Sequence, residues 1–158
     1  MTRVRVIGCG TPDAGDDAVG LLAVRAARPA LEDLPGVEVA ETGAGLHVVD
    51  LLRDVDAAVI VDAVRASAGA RAAGTLVRVE AGPDGLPADV GSSLSSHGFS
   101  VAEAVGLAAA IDGAPVVVFL GVEVEDVTAG HPLSHALERS LPELVARVVG
   151  EARLLSST

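Results

Sequence analysis

Apolar residues along the chain fall into two alternating patterns. Short β-branched runs recur at 3–7 (RVRVI), 37–41 (VEVAE), 57–64 (AAVIVDAV), 75–80 (TLVRVE) and 115–124 (PVVVFLGVEV), each with a strand signature bounded by glycine, proline or polar residues. Between them, apolar positions repeat at helical spacing over 17–32, 46–54 and 99–111, and again from Pro132 to about 154, where a proline suits a first helical turn. Strand and helix in alternation predict a three-layer α/β sandwich, with a twisted, mostly parallel sheet of about five strands and helices on both faces. The link 65–74 (RASAGARAAG) is too short and too rich in glycine and alanine for a crossover helix. The fourth strand is therefore expected to run antiparallel to its neighbour. The long segment 81–98 (AGPDGLPADVGSSLSSHG) reads as a loop, and the tail LLSST is expected to fray.

The length of 158 residues suits one domain over 1–158. No run of eighteen residues escapes a charge or a breaker, and the chain enters its first strand at once. No membrane span or leader is expected, and the reading is cytoplasmic. The single cysteine, Cys9, precludes an internal disulfide. A net charge of −11, with all eleven cations arginine, removes the phosphate-neutralising patch that nucleic acid or anionic lipid requires. The aromatic residues are Phe99 and Phe119 alone, so stacking platforms for bases are missing as well. Small molecules, metals and proteins remain as partners.

Ligands of open α/β sheets bind beyond the carboxyl ends of the strands. That rule selects Asp16 and Asp17 after the first strand, Glu41 after the second, Asp62 closing the third, and His97 at the end of the long loop. Two carboxylates and an imidazole from three segments make an O,O,N set for a borderline divalent ion such as nickel or zinc. Either aspartate of the pair would also serve as a helix N-cap near Ala18. Asp62, inside an apolar run, needs a partner or a ligand to be tolerated. Other candidates are weaker. The stretch GCG lacks the third glycine of a dinucleotide loop, since position 13 is Asp13. Cys9 reads as packing, and Ser95 and Ser96 lack a nucleophile elbow. His131 and His135 have the i,i+4 spacing of a ligand pair without the intervening glutamate and read as polar surface, and His47 reads as a helix-terminus residue.

These residues resemble the hydrogenase maturation peptidases, which trim the C-terminus of the large subunit of nickel-iron hydrogenases. The family pattern is a strand, G-x-G-N, four residues, an acidic pair and x-x-G; this chain reads GCGTPDAGDDAVG, with Thr11 in place of the asparagine. Asp62 in VIVDAV and His97 in SSHGFSVAEAVGLA match the family's second acid and its histidine. The resemblance implies an endopeptidase in which Asp17, Asp62 and His97 recognise nickel already inserted in the large-subunit precursor, with zinc or cadmium able to occupy the same ligands. Asp16 then caps the helix. A metal-bound water is the expected nucleophile, or Asp17 or Asp62 acts as general base. A non-enzymatic chaperone for nickel or the precursor would use the same ligands. A phosphoryl-accepting receiver domain is disfavoured because the chain has no lysine.

Overall fold

A computed structural model describes residues 1–43, 45–65, 71–82, 85–87, 100–113 and 115–158. Its strands are β1 (Val4–Cys9), β2 (Val37–Thr42), β3 (Ala57–Val64), β4 (Leu76–Glu80) and β5 (Val116–Glu123). The helices are α1 (Val19–Glu32), α2 (Gly45–Leu51), α3 (Val101–Asp112) and α4 (His135–Ser156), and a 3-10 turn at Gly15–Ala18 leads into α1.

The strands form one sheet in the order β2-β1-β3-β5-β4. β1 pairs parallel with β2 and β3, and β3 parallel with β5. β4 is antiparallel to β5, as the short third connection predicts. All eight residues of β3 are buried, as a central parallel strand covered on both faces requires. One face packs Val6, Val59, Val61, Val118 and Leu120 against α1 and α4, with Leu31, Leu137 and Leu144 fully or almost fully buried. The other face packs Ile7, Ile60 and Phe119 against Val48 of α2 and Val101, Ala104 and Val105 of α3. Each such aliphatic or aromatic side chain removed from water contributes about 1.5–3 kcal/mol. The edges carry charge instead. Arg5 of β1 meets its register partner Glu38 of β2 at 2.7 Å, and Arg78 of β4 pairs with Glu80 at 3.0 Å and with Glu151 of α4. Charged edge strands resist pairing with another chain.

Helix ends differ from the expectation at three places, the first being α2, which stops at Leu51 and not at 54. α4 begins at His135 rather than at Pro132, because Ser134 takes the N-cap position and Pro132 stays in the preceding loop. The tail does not fray at 154. α4 continues to Ser156, with the Ser156 and Ser157 hydroxyls donating to the Arg153 carbonyl at 3.1 and 2.8 Å, which satisfies an acceptor that a helix C-terminus leaves open. α3 starts where the tetrad Ser100-Val101-Ala102-Glu103 signals a capping box: the Ser100 hydroxyl accepts from the Glu103 N–H at 3.1 Å. Among the described residues no helix is long and apolar enough to cross a membrane.

Candidate functional site

The strand order reverses direction between β1 and β3, so the rim above their carboxyl ends is the ligand-binding edge that such sheets provide. The approach of α1 to this rim is unusually close. A Cβ on Gly20 would lie 2.3 Å from the Cys9 carbonyl oxygen and 2.4 Å from that of Val61. Only glycine lets the first turn of α1 rest on both strands. The 3-10 turn before it, with the acidic pair, is thereby set directly over the ends of β1 and β3.

The two aspartates of the pair have different surroundings. Asp16 has no solvent exposure. One carboxylate oxygen accepts from the backbone N–H of Glu125 at 2.8 Å and of Asp126 at 3.0 Å, and from the Ser134 hydroxyl at 2.9 Å. The other accepts from the Ser134 N–H at 2.7 Å. Asp16 therefore does not cap α1, as the sequence suggests. It joins the turn to the segment between β5 and α4, more than a hundred residues away, and occupies the positive end of α4. The Ser134 hydroxyl is turned to Asp16 and makes no cap bond to its own helix.

Asp17 is half-buried, and its carboxylate accepts from the backbone N–H of Thr11 at 3.1 Å. The bond uses the main chain of residue 11 and does not depend on the Thr11 side chain. Asp62 is 6% exposed and lies two residues before the end of β3, which runs on, buried, to Val64 where the sequence suggests an end at Asp62; its carboxylate accepts from the Ala63 N–H at 2.8 Å. Ile60 and Val64, two residues to either side, pack on the α2–α3 face, and strand alternation puts Asp62 there too. Burial, and then the charge of Asp17, push the Asp62 carboxyl well above the ordinary carboxylate range, against a smaller opposing effect of the Ala63 N–H. The Gly20 contact with the Val61 carbonyl sets Asp17, three residues earlier in the chain, over the same strand end as Asp62. Cys9 shares the face and has Thr42 as its register partner. Burial raises the Cys9 thiol well above its usual range, with Asp62 and Asp17 adding to the effect. The neutral thiol is a packing group, as expected, not a thiolate nucleophile.

Other candidates are engaged elsewhere. Glu41 pairs with Arg25 at 2.8 Å and Arg28 at 3.6 Å on α1, and the Arg25 hydrogen bond lowers its pKa. His47, on α2, has its Nδ1 3.4 Å from the Thr42 hydroxyl. His131 and His135 do not share a helix face, because α4 starts at the second of them. His131 lies 2.7 Å from Asp126, which it holds below the usual carboxylate range, and His135 lies 3.4 Å from Glu138. His97, Ser95, Ser96 and Phe99 lie outside the described residues. Among the described residues no group of three histidine, cysteine, aspartate or glutamate side chains is placed to hold a metal ion. The residue that sequence reasoning missed is Ser134; a serine before a helical run signals an N-cap, but nothing local marks its bond to Asp16, 118 positions upstream.

Fold and rim together define an open α/β protein with two neighbouring carboxylates at its topological switch point. A family model described as hydrogenase maturation protease matches residues 22–151, and the chain belongs to that family. The match starts beyond both aspartates of the acidic pair. Solved structures agree in fold. The hydrogenase maturating endopeptidase HybD from E. coli superposes with a TM-score of 0.78 at 23% identity, covering 97% of this chain and 93% of that one. The solution structure of an endopeptidase from Escherichia coli gives 0.81 at 23% identity, with 97% and 93% covered. The hydrogenase maturation protease HybD from Thermococcus kodakarensis gives 0.69 at 19% identity, with 96% and 99% covered. Among the curated proteins none is significantly similar to the chain.

Proposed function

We propose that this protein is the endopeptidase that removes the C-terminal extension of a nickel-iron hydrogenase large-subunit precursor once nickel is inserted, and that Asp17, Asp62 and His97 recognise the nickel carried by that substrate. Membership of the protease family supports the reaction class. The observation that carries the residue assignment is the buried carboxyl of Asp62 beside Asp17 at the switch point. A lone buried carboxylate next to a second negative charge holds its proton. A divalent cation brought between the two supplies the missing counter-charge and releases that proton, so the donor set fits an incoming metal. Two oxygen donors and one imidazole offer modest affinity, which suits a metal that arrives with the substrate rather than one held permanently.

In the hydrolysis, water adds to the scissile carbonyl, the amide C–N bond breaks and a proton passes to the departing amine. Asp17 and Asp62 are the rim groups able to take the proton from water. Cys9 contributes no nucleophile, because its thiol is held neutral. The test is the intact mass of the precursor after incubation with this protein. Nickel-loaded precursor is expected to lose a short C-terminal peptide, and nickel-free precursor to keep its mass. Cleavage of the nickel-free form would overturn recognition through the metal. Stable binding of the loaded form without a change in mass would instead make the protein a precursor chaperone.

A further inference from the structure

The segment carrying Asp17 rests on β1 and β3 through Gly20, and within it the Asp17 N–H donates to the Ala14 carbonyl at 3.1 Å. Asp17 makes its bond to Thr11, but the backbone around it is also held from outside, by the segment between β5 and α4. The Gly15 N–H donates to the His131 carbonyl at 3.0 Å, the Asp16 N–H to the Asp126 carbonyl at 2.7 Å, and the Gly130 N–H to the Asp13 carbonyl. A Cβ on Gly15, which has a φ of 58°, would lie 2.4 Å from the Asp126 carbonyl oxygen, so the two segments are in backbone contact. At the centre stands Asp16, with its four accepted hydrogen bonds. Three of the donors are main-chain N–H groups that would otherwise be left without this partner in the interior.

We infer that Asp16 and Ser134 are positioning residues for Asp17: the carboxylate of Asp16, locked by Ser134 and the N–H groups of Glu125 and Asp126, fixes the 3-10 turn so that the next side chain is aimed at the rim. The inference rests on the peptidase reading above. Asp17 follows Asp16 directly within the Gly15–Ala18 turn, so a shift of one residue is passed to the other. The acidic pair then divides its labour. One carboxylate spends its lone pairs on the protein and holds the other in register with Asp62. Misplacing a catalytic group by about 1 Å costs on the order of 100-fold in rate, so a partly loosened turn has a kinetic signature before it has a large stability signature.

The experiment compares wild type with Ser134→Ala, Ser134→Thr and Asp16→Asn, using nickel-loaded large-subunit precursor as substrate. Ser134→Ala removes one of the four bonds and leaves the three N–H groups in place. Its kcat is expected to fall about 10-fold with KM within about 2-fold of wild type, while the thermal midpoint stays close to that of wild type. Ser134→Thr keeps the hydroxyl and is expected to restore kcat. Asp16→Asn turns an amide NH2 toward N–H donors and is expected to lose more rate than Ser134→Ala. A Ser134→Ala variant as fast as an active wild type overturns the positioning role alone. So does a loss in which KM and thermal midpoint move together and threonine gives no rescue, because that pattern belongs to a merely structural bond. A wild-type protein that leaves loaded precursor intact overturns the peptidase reading itself.

Discussion

The two faces of the sheet meet the carboxyl-terminal rim in different ways. On the α1–α4 side the rim is closed by hydrogen bonds. Asp16 is fully buried there, yet its carboxylate accepts four hydrogen bonds from N–H and hydroxyl groups. On the α2–α3 side stand Asp62, Cys9 and Thr42, and burial raises the first two above their usual pKa ranges. A buried carboxylate with a full set of donors is a structural joint. One beside a negative neighbour, with the Ala63 N–H as its donor among the described residues, keeps its proton to higher pH. The difference between the two lies in the supply of partners and not in residue type or depth.

The largest expected effect comes from opening the closed side. Asp16→Ala orphans the N–H groups of Glu125, Asp126 and Ser134 and is expected to cost about 4 kcal/mol, read by chemical unfolding. A cost below about 1 kcal/mol would show that water replaces the carboxylate and that this side is not sealed. Next is Gly20→Ala. Its Cβ meets two backbone oxygens, neither of which belongs to a flexible side chain, so α1 must lift off β1 and β3. The expected cost is about 2 kcal/mol in the same assay, with loss of precursor cleavage.

On the open side the expected sign reverses. The folded protein keeps the Asp62 proton to higher pH than the unfolded chain does, so this group's stabilising contribution is complete below the unfolded carboxyl pKa. It is lost as pH rises through the folded value. Asp62→Asn has nothing to ionise and still accepts from Ala63. Thermal midpoints are expected to be higher than wild type at neutral pH, with the gain shrinking in acid, while cleavage of loaded precursor is abolished. A variant less stable than wild type at neutral pH would place Asp62 with Asp16 among the structural joints. The smallest effect belongs to Arg25→Ala. It breaks a half-exposed pair with Glu41 and is expected to leave the thermal midpoint within measurement scatter, as pairs open to solvent do. A clear drop would extend the closed side of the rim to the end of β2.

Much of this molecule is legible along the chain. The five β-branched runs are the five strands to within two residues at their ends, and the brevity of residues 65–74 correctly predicts an antiparallel β4. Strand and helix periodicities are local properties, and a connection too short for a crossover helix excludes a parallel partner. The sequence likewise points to Asp62, since a carboxylate in an apolar run is an anomaly needing no structure to notice. The serine that positions α4 is different. A proline at 132 carries the local signal for a helix start, and Ser134 overrides it because its N–H and hydroxyl are claimed by Asp16.

What the sequence determined by itself was therefore the sheet, the rim and the pair of acids set upon it. The family resemblance already singles out Asp17 of the pair; that Asp16 is a joint to a distant segment and not a helix cap was decided by tertiary structure alone. Asp16 and Asp17 are chemically identical neighbours, and either would serve as a local helix cap. They part company only when residues 125, 126 and 134 fold back to bring N–H and hydroxyl donors to the first of them. Hydrogen bonds act over about 3 Å of space whatever the distance along the chain. A partner more than a hundred residues away leaves no trace in the local pattern.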